Sequence, residues 1–63
     1  MYQVIYKDVV LFTSPTKQQA IDAITTYAQK RGETFDRKIK IFGRTHLIFY
    51  DANDYYTYII IKA

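Results

Sequence analysis

Few side chains in this sequence could do chemistry, and each has a structural use that competes with it. There is one histidine, His46. It stands in a strand-like run with apolar neighbours, Thr45-His46-Leu47-Ile48-Phe49-Tyr50, and nothing near it in sequence supplies the acid or nucleophile that a general base must face. Ser14 precedes Pro15 at the start of a helical pattern without the flanking glycines of a nucleophile elbow, so its surroundings favour helix capping. Asp51, Asn53 and Asp54 carry oxygens suited to a hard cation. The run lacks the following glycine and distal glutamate of a calcium loop, however, and residues of this kind are what a hairpin loop wants. Glu33 and Asp36 read as a solvated connection. No phosphate-binding loop, dinucleotide fingerprint, His/Cys metal spacing or paired-carboxylate motif occurs. We therefore expect a protein that is not an enzyme, with no catalytic residue, no cofactor and no metal site.

What remains is recognition chemistry, carried by cations and aromatic rings. The formal charge is +3, and between Lys30 and Arg44 six basic residues (Lys30, Arg31, Arg37, Lys38, Lys40 and Arg44) stand against Glu33 and Asp36. Such a cluster suits phosphates or an acidic partner through Arg37, Lys38, Lys40 and Arg44; its competing reading is a solvated loop and strand edge. Seven tyrosines and four phenylalanines in 63 residues supply rings that bury apolar area while a hydroxyl stays wet.

The elements that must position these residues form one domain, residues 1–63. A chain of this length buries only roughly 60% of its unfolded surface, and with no cysteine it has no disulfide to add to its core. The start, Met1-Tyr2-Gln3-Val4-Ile5-Tyr6-Lys7-Asp8, lacks the basic and apolar regions of a signal peptide, and no apolar run reaches the ~20 residues that span a bilayer. A cytoplasmic protein without a membrane partner is the expectation.

β-branched and aromatic residues at Tyr2 to Tyr6 and Val9 to Thr13 predict a hairpin turning at Lys7-Asp8. The period then changes to 3.6: Ala20, Ile21, Ile24, Tyr27 and Ala28 share one helical face, while Gln18, Asp22, Thr25 and Gln29 share the other. Either Ser14 with Pro15, or Thr16 with Gln19 three residues on, starts this helix, and Gly32 suits its end. Three more strands follow, Lys38 to Phe42, Thr45 to Tyr50 and Tyr55 to Lys62, with Gly43-Arg44 as a two-residue turn and residues 51–54 as a four-residue loop. The predicted class is α+β in the order ββαβββ, with one amphipathic helix on an antiparallel sheet.

Counting along these strands separates two faces. One carries Ile39, Ile41, His46, Ile48, Tyr50, Tyr55, Thr57, Ile59 and Ile61; the other carries Lys38, Lys40, Phe42, Leu47, Phe49, Tyr56, Tyr58, Ile60 and Lys62. The first, richer in aliphatics and poorer in lysine, is expected beneath the helix. Five strands at ~4.8 Å span roughly 24 Å, whereas a helix is ~10 to 12 Å across, so much apolar sheet is left over.

Phe42, Leu47, Phe49, Tyr56, Tyr58 and Ile60 are accordingly the candidate interface, unless the sheet coils into a half-barrel that encloses both sets. The expected function is a protein-interaction module, a homodimer first of all, acting on another protein as a small accessory or inhibitor protein of the kind phages and mobile elements carry. The alternative is single-stranded nucleic-acid binding, with Phe42, Phe49, Tyr56 and Tyr58 stacking on bases and Lys38, Lys40 and Arg44 meeting the backbone.

Overall fold

The computed structural model describes all 63 residues. They form β1 (Tyr2–Tyr6), β2 (Val9–Ser14), α1 (Lys17–Lys30), β3 (Thr34–Ile41), β4 (Arg44–Tyr50) and β5 (Tyr55–Lys62). All five strands belong to one antiparallel sheet of order β2-β1-β5-β4-β3, with α1 on one face. The α+β class and the ββαβββ order follow the sequence pattern. The pairing of β1 with β5, Val4 opposite Ile60 and Ile5 opposite Ile59, joins the first hairpin to the last three strands. No helix is long and apolar enough to cross a membrane.

Local chemistry explains the helix ends. Thr16, in extended conformation, accepts the Gln19 N–H on its Oγ1 at 3.2 Å, which selects the second of the two expected N-caps. Ser14 instead ends β2 and is buried. At the other end Gly32 takes φ +81°, its N–H bonding the Gln29 carbonyl and the Glu33 N–H the Ala28 carbonyl. This double bond pattern satisfies two orphan carbonyls and requires a left-handed residue where glycine stands.

The turns set the register. Lys7 and Asp8 both have positive φ, as a two-residue type I′ turn requires, and Tyr6 pairs with Val9. Between β3 and β4 the turn residues are Phe42 (φ +49°) and Gly43 (φ +76°), and Ile41 pairs with Arg44. The expected Gly43-Arg44 turn is thus one residue too late, and every β3 partner moves by two; an even shift leaves the faces of β3 unchanged. The expected four-residue loop holds, with Tyr50 opposite Tyr55.

Two bulges depart from the expected regular strands. One in β2 turns Phe12 to the side of Val4, with which it pairs, and sends its ring edge-on to Tyr27 at 5.5 Å. The other, at Asp36, lets β3 begin at Thr34, four residues before the expected start.

The faces are the reverse of the expected assignment. The buried core is Val4, Ala20, Ile24, Ala28, Leu47, Phe49, Tyr58 and Ile60, so the helix lies on the aromatic face. The physical reason is volume: Ala20 and Ala28 let α1 approach the sheet closely, and large rings fill the space that small helix residues leave. Tyr58 meets Phe49 at 5.6 Å, Tyr6 at 5.1 Å and Tyr27 at 6.4 Å between ring centroids.

Candidate functional site

Of the six residues expected to form an interface, Leu47, Phe49, Tyr58 and Ile60 are core residues, and Tyr56 is half-buried against them. This corrects the expected interface, and it removes Phe49 and Tyr58 as stacking platforms for bases. Phe42 alone of the six is free, 99% exposed at the β3–β4 turn.

The uncovered face is the isoleucine face. Its centre is a row running across all five strands through successive pairs, Val10, Ile5, Ile59, His46 and Ile39. Ile48 and Thr57 pair in a second row and Tyr50 and Tyr55 in a third, their rings 6.0 Å apart. Ile5, Ile39, Ile48, Ile59 and Ile61 are half-buried by their strand neighbours, while Ile41 and Val10 are exposed. His46 sits within this row between Ile59 and Ile39, a setting that offers its ring apolar neighbours.

The carboxylates that could have held a cation are occupied by the fold. Asp51 accepts the Asn53 and Asp54 N–H groups on one oxygen, at 2.8 and 2.9 Å, and the Tyr56 hydroxyl on the other, at 2.8 Å. The backbone bond from Asn53 and the Tyr56 hydroxyl bond favour its charged form, so its pKa is lowered. Any stability this contributes is present above the ordinary carboxylate range and is lost as pH falls through the lowered value.

Glu33 corrects a second expectation. It is 4% exposed instead of solvated, and it accepts the Tyr58 hydroxyl at 2.7 Å and the Arg31 Nε–H at 2.7 Å. Two partners compensate a carboxylate that burial alone would penalise. Burial first, then the bond to Glu33, raises the Tyr58 pKa well above the ordinary phenol range. Arg31 reaches over the Tyr27 and Tyr56 rings at 5.6 and 5.9 Å. This cluster ties the helix C-terminus to the centre of the sheet. Glu33 lies 25 residues from Tyr58 in sequence, and no local pattern announces such a pair.

The basic cluster is divided by the fold. Lys30 and Arg31 lie at the C-terminal end of α1, in the company of Glu33. Arg37 pairs with Asp36 at 3.2 Å and shares the open face with its partner Ile48, as Arg44 does with Ile41. Lys38 and Lys40 point to the helix side, opposite Leu47 and Thr45. Lys40 there joins two lysines that the sequence holds far away. Lys17, Lys40 and Lys62, with Tyr2, Gly43, Thr45 and Ile60, line a groove of about 200 Å³. Protein-family models, curated proteins and solved structures were compared with the chain, and none matches it.

Proposed function

We propose that this protein is a non-enzymatic interaction module that pairs with a second copy of itself through the isoleucine face, the pair acting as a small accessory or inhibitor protein on another macromolecule. The observation that carries this reading is the uncovered row Val10, Ile5, Ile59, His46 and Ile39 with Ile48, Ile41 and Ile61 around it. An antiparallel sheet with one face in water normally alternates apolar with polar residues, and here both faces are apolar.

Area supports a second copy as the occupant. Five strands at ~4.8 Å by five to eight residues at ~3.3 Å give a face of roughly 500 Å² in plan before side-chain relief is counted. That is the scale of a single functional patch and approaches the ~800 Å² per partner of a standard interface. Two such faces pack sheet on sheet at ~10 Å with strands inclined by roughly 30°, and β-branched residues interdigitate well in that geometry.

Light scattering on a size-exclusion column, at two protein concentrations, tests the proposal. The expected mass is twice the 7.5 kDa of the chain, falling to one chain in the double variant Ile48→Lys, Ile59→Lys with its far-ultraviolet circular dichroism intact. A wild-type protein of monomer mass at both concentrations overturns the proposal.

A further inference from the structure

The register sorts charge along the strands. The end of the molecule that holds the β3–β4 turn, the start of α1 and the end of β5 carries Lys17, Lys40, Arg44 and Lys62 and no side-chain carboxylate. The opposite end carries Asp8, Glu33, Asp36, Asp51 and Asp54 against Lys7, Lys30, Arg31 and Arg37, the last paired with Asp36. Three of the four cations at the basic end come together around one groove. Neither of the protein's two ion pairs involves them, and α1 has no acidic residue in its first turn to offset its positive dipole end. Like charges brought together without a counter-charge oppose folding, so the groove is arranged for an anion that the chain itself does not provide.

The second observation is Phe42, next in sequence to Gly43 of that groove. It is 99% exposed and holds φ +49°, a left-handed conformation that costs a residue with a Cβ energy and that asparagine or glycine adopts more readily. Lys7 has the corresponding place in the first hairpin, but its Nζ lies 5.4 Å from the centre of the Tyr6 ring and so gains a contact within the fold. None of the ring pairs in the protein includes Phe42. A strained backbone carrying a fully solvated ring returns nothing to stability, and such outliers gather where a ligand is met.

We infer that Phe42 and the Lys17–Lys40–Lys62 groove form a single-stranded nucleic-acid contact site, the lysines taking a backbone phosphate and the Phe42 ring stacking on an adjacent base. Ring and groove are one residue apart along the turn, as phosphate and base are neighbours within one nucleotide. An anionic membrane shares the phosphate chemistry. It is the less favoured occupant because insertion calls for several apolar side chains at the tip, and this turn offers one fully exposed ring, Ile41 before it lying on the isoleucine face away from the lysine groove. The lysine groove lies on the helix-bearing side, so a second copy on the isoleucine face leaves its phosphate contact open, and that contact stands or falls independently of the pairing.

Fluorescence anisotropy with a labelled oligothymidylate of about ten nucleotides, within the span that small single-strand binding sites occupy, tests the site. Wild-type protein binds at low salt with affinity that falls as salt rises. The triple variant Lys17→Ala, Lys40→Ala, Lys62→Ala flattens the plot of log affinity against log salt by about 0.7 for each phosphate released. Phe42→Asn relieves the turn, so its thermal midpoint is at or above that of the wild type, while its affinity drops roughly five- to a hundred-fold as a stacked base is lost. Absence of binding at low salt overturns the inference, as does binding that neither variant weakens. Phosphatidylserine vesicles that bind the wild type but not Phe42→Asn, with no oligothymidylate bound, overturn it in favour of a membrane.

Discussion

Ile48 and Phe49 are consecutive on β4 and face opposite sides of one sheet. Phe49 is fully buried under α1, its ring centroid 5.5 and 5.6 Å from those of Phe35 and Tyr58, whereas Ile48 keeps part of its surface open beside Thr57 and Arg37. Both are apolar and both suit a strand, so residue type alone does not separate them. What separates them is the helix, whose small residues Ala20 and Ala28 accept rings and leave the isoleucines without a cover. The comparison teaches that in a two-layer fold one layer's volumes select the other layer's face: bulky sheet residues belong opposite a thin helix stripe.

The largest expected effect breaks the covered side. Phe49→Ala removes a fully buried ring and is expected to cost about 3 to 5 kcal/mol in urea unfolding, a large share of what a domain this small holds. Ile48→Ala, one residue away, is expected to cost less than about 1 kcal/mol in dilute protein, where the open face is wet. Equal losses at the two positions would mean that the isoleucine face is as buried as the aromatic one.

A medium effect sharpens the same contrast, because Tyr58 is the covered residue with a polar atom to satisfy. Tyr58→Phe keeps the ring and removes the bond to the Glu33 carboxylate, so a loss of about 1.5 to 3 kcal/mol is expected, the range for hydrogen bonds to charged groups. Its pH signature has a definite sign. The Tyr58 pKa is raised in the folded protein, so this contribution is whole below the ordinary phenol pKa of about 10 and is lost as pH rises beyond it, since the unfolded chain ionises first. Titration of the urea midpoint into the alkaline range should show this fall in the wild type and a shallower one in Tyr58→Phe, the remainder coming from Tyr56, whose pKa is also raised. An unchanged alkaline profile in the variant would remove Tyr58 from that role.

Elements were legible where the signal is local. The 3.6 period, Thr16 with Gln19, and Gly32 place the helix, and alternation together with the loop at residues 51–54 places β4 and β5 in register. The β3–β4 turn falls one residue earlier than its sequence suggests because Phe42 occupies a left-handed position that sequence preference reserves for glycine or asparagine. The Asp36 bulge and the Glu33–Tyr58 bond depend on partners distant in sequence, and the lysine groove assembles Lys17, Lys40 and Lys62 from three separate elements. The inverted faces had a readable signal in Ala20 and Ala28, whose small volumes require rings across from them. The lysines of the aromatic face outweighed it, as if a face carrying Lys38, Lys40 and Lys62 had to be the solvated one.

Lys38 shows why that inference from lysine fails. It lies on the helix side of β3 directly opposite Leu47, which is 2% exposed, yet Lys38 itself is exposed. The sheet is roughly 24 Å wide and the helix ~10 to 12 Å across, so a face can be core along β1, β5 and β4 and solvent along its margin at β3. Lys38→Ala is therefore expected to change stability by no more than about 0.5 kcal/mol in urea unfolding, as a surface position does, even though its cross-strand partner is among the core residues. A loss several times larger would mean that the lysine stem covers Leu47, and that the boundary between the two regimes lies at the sheet edge instead of between β4 and β3.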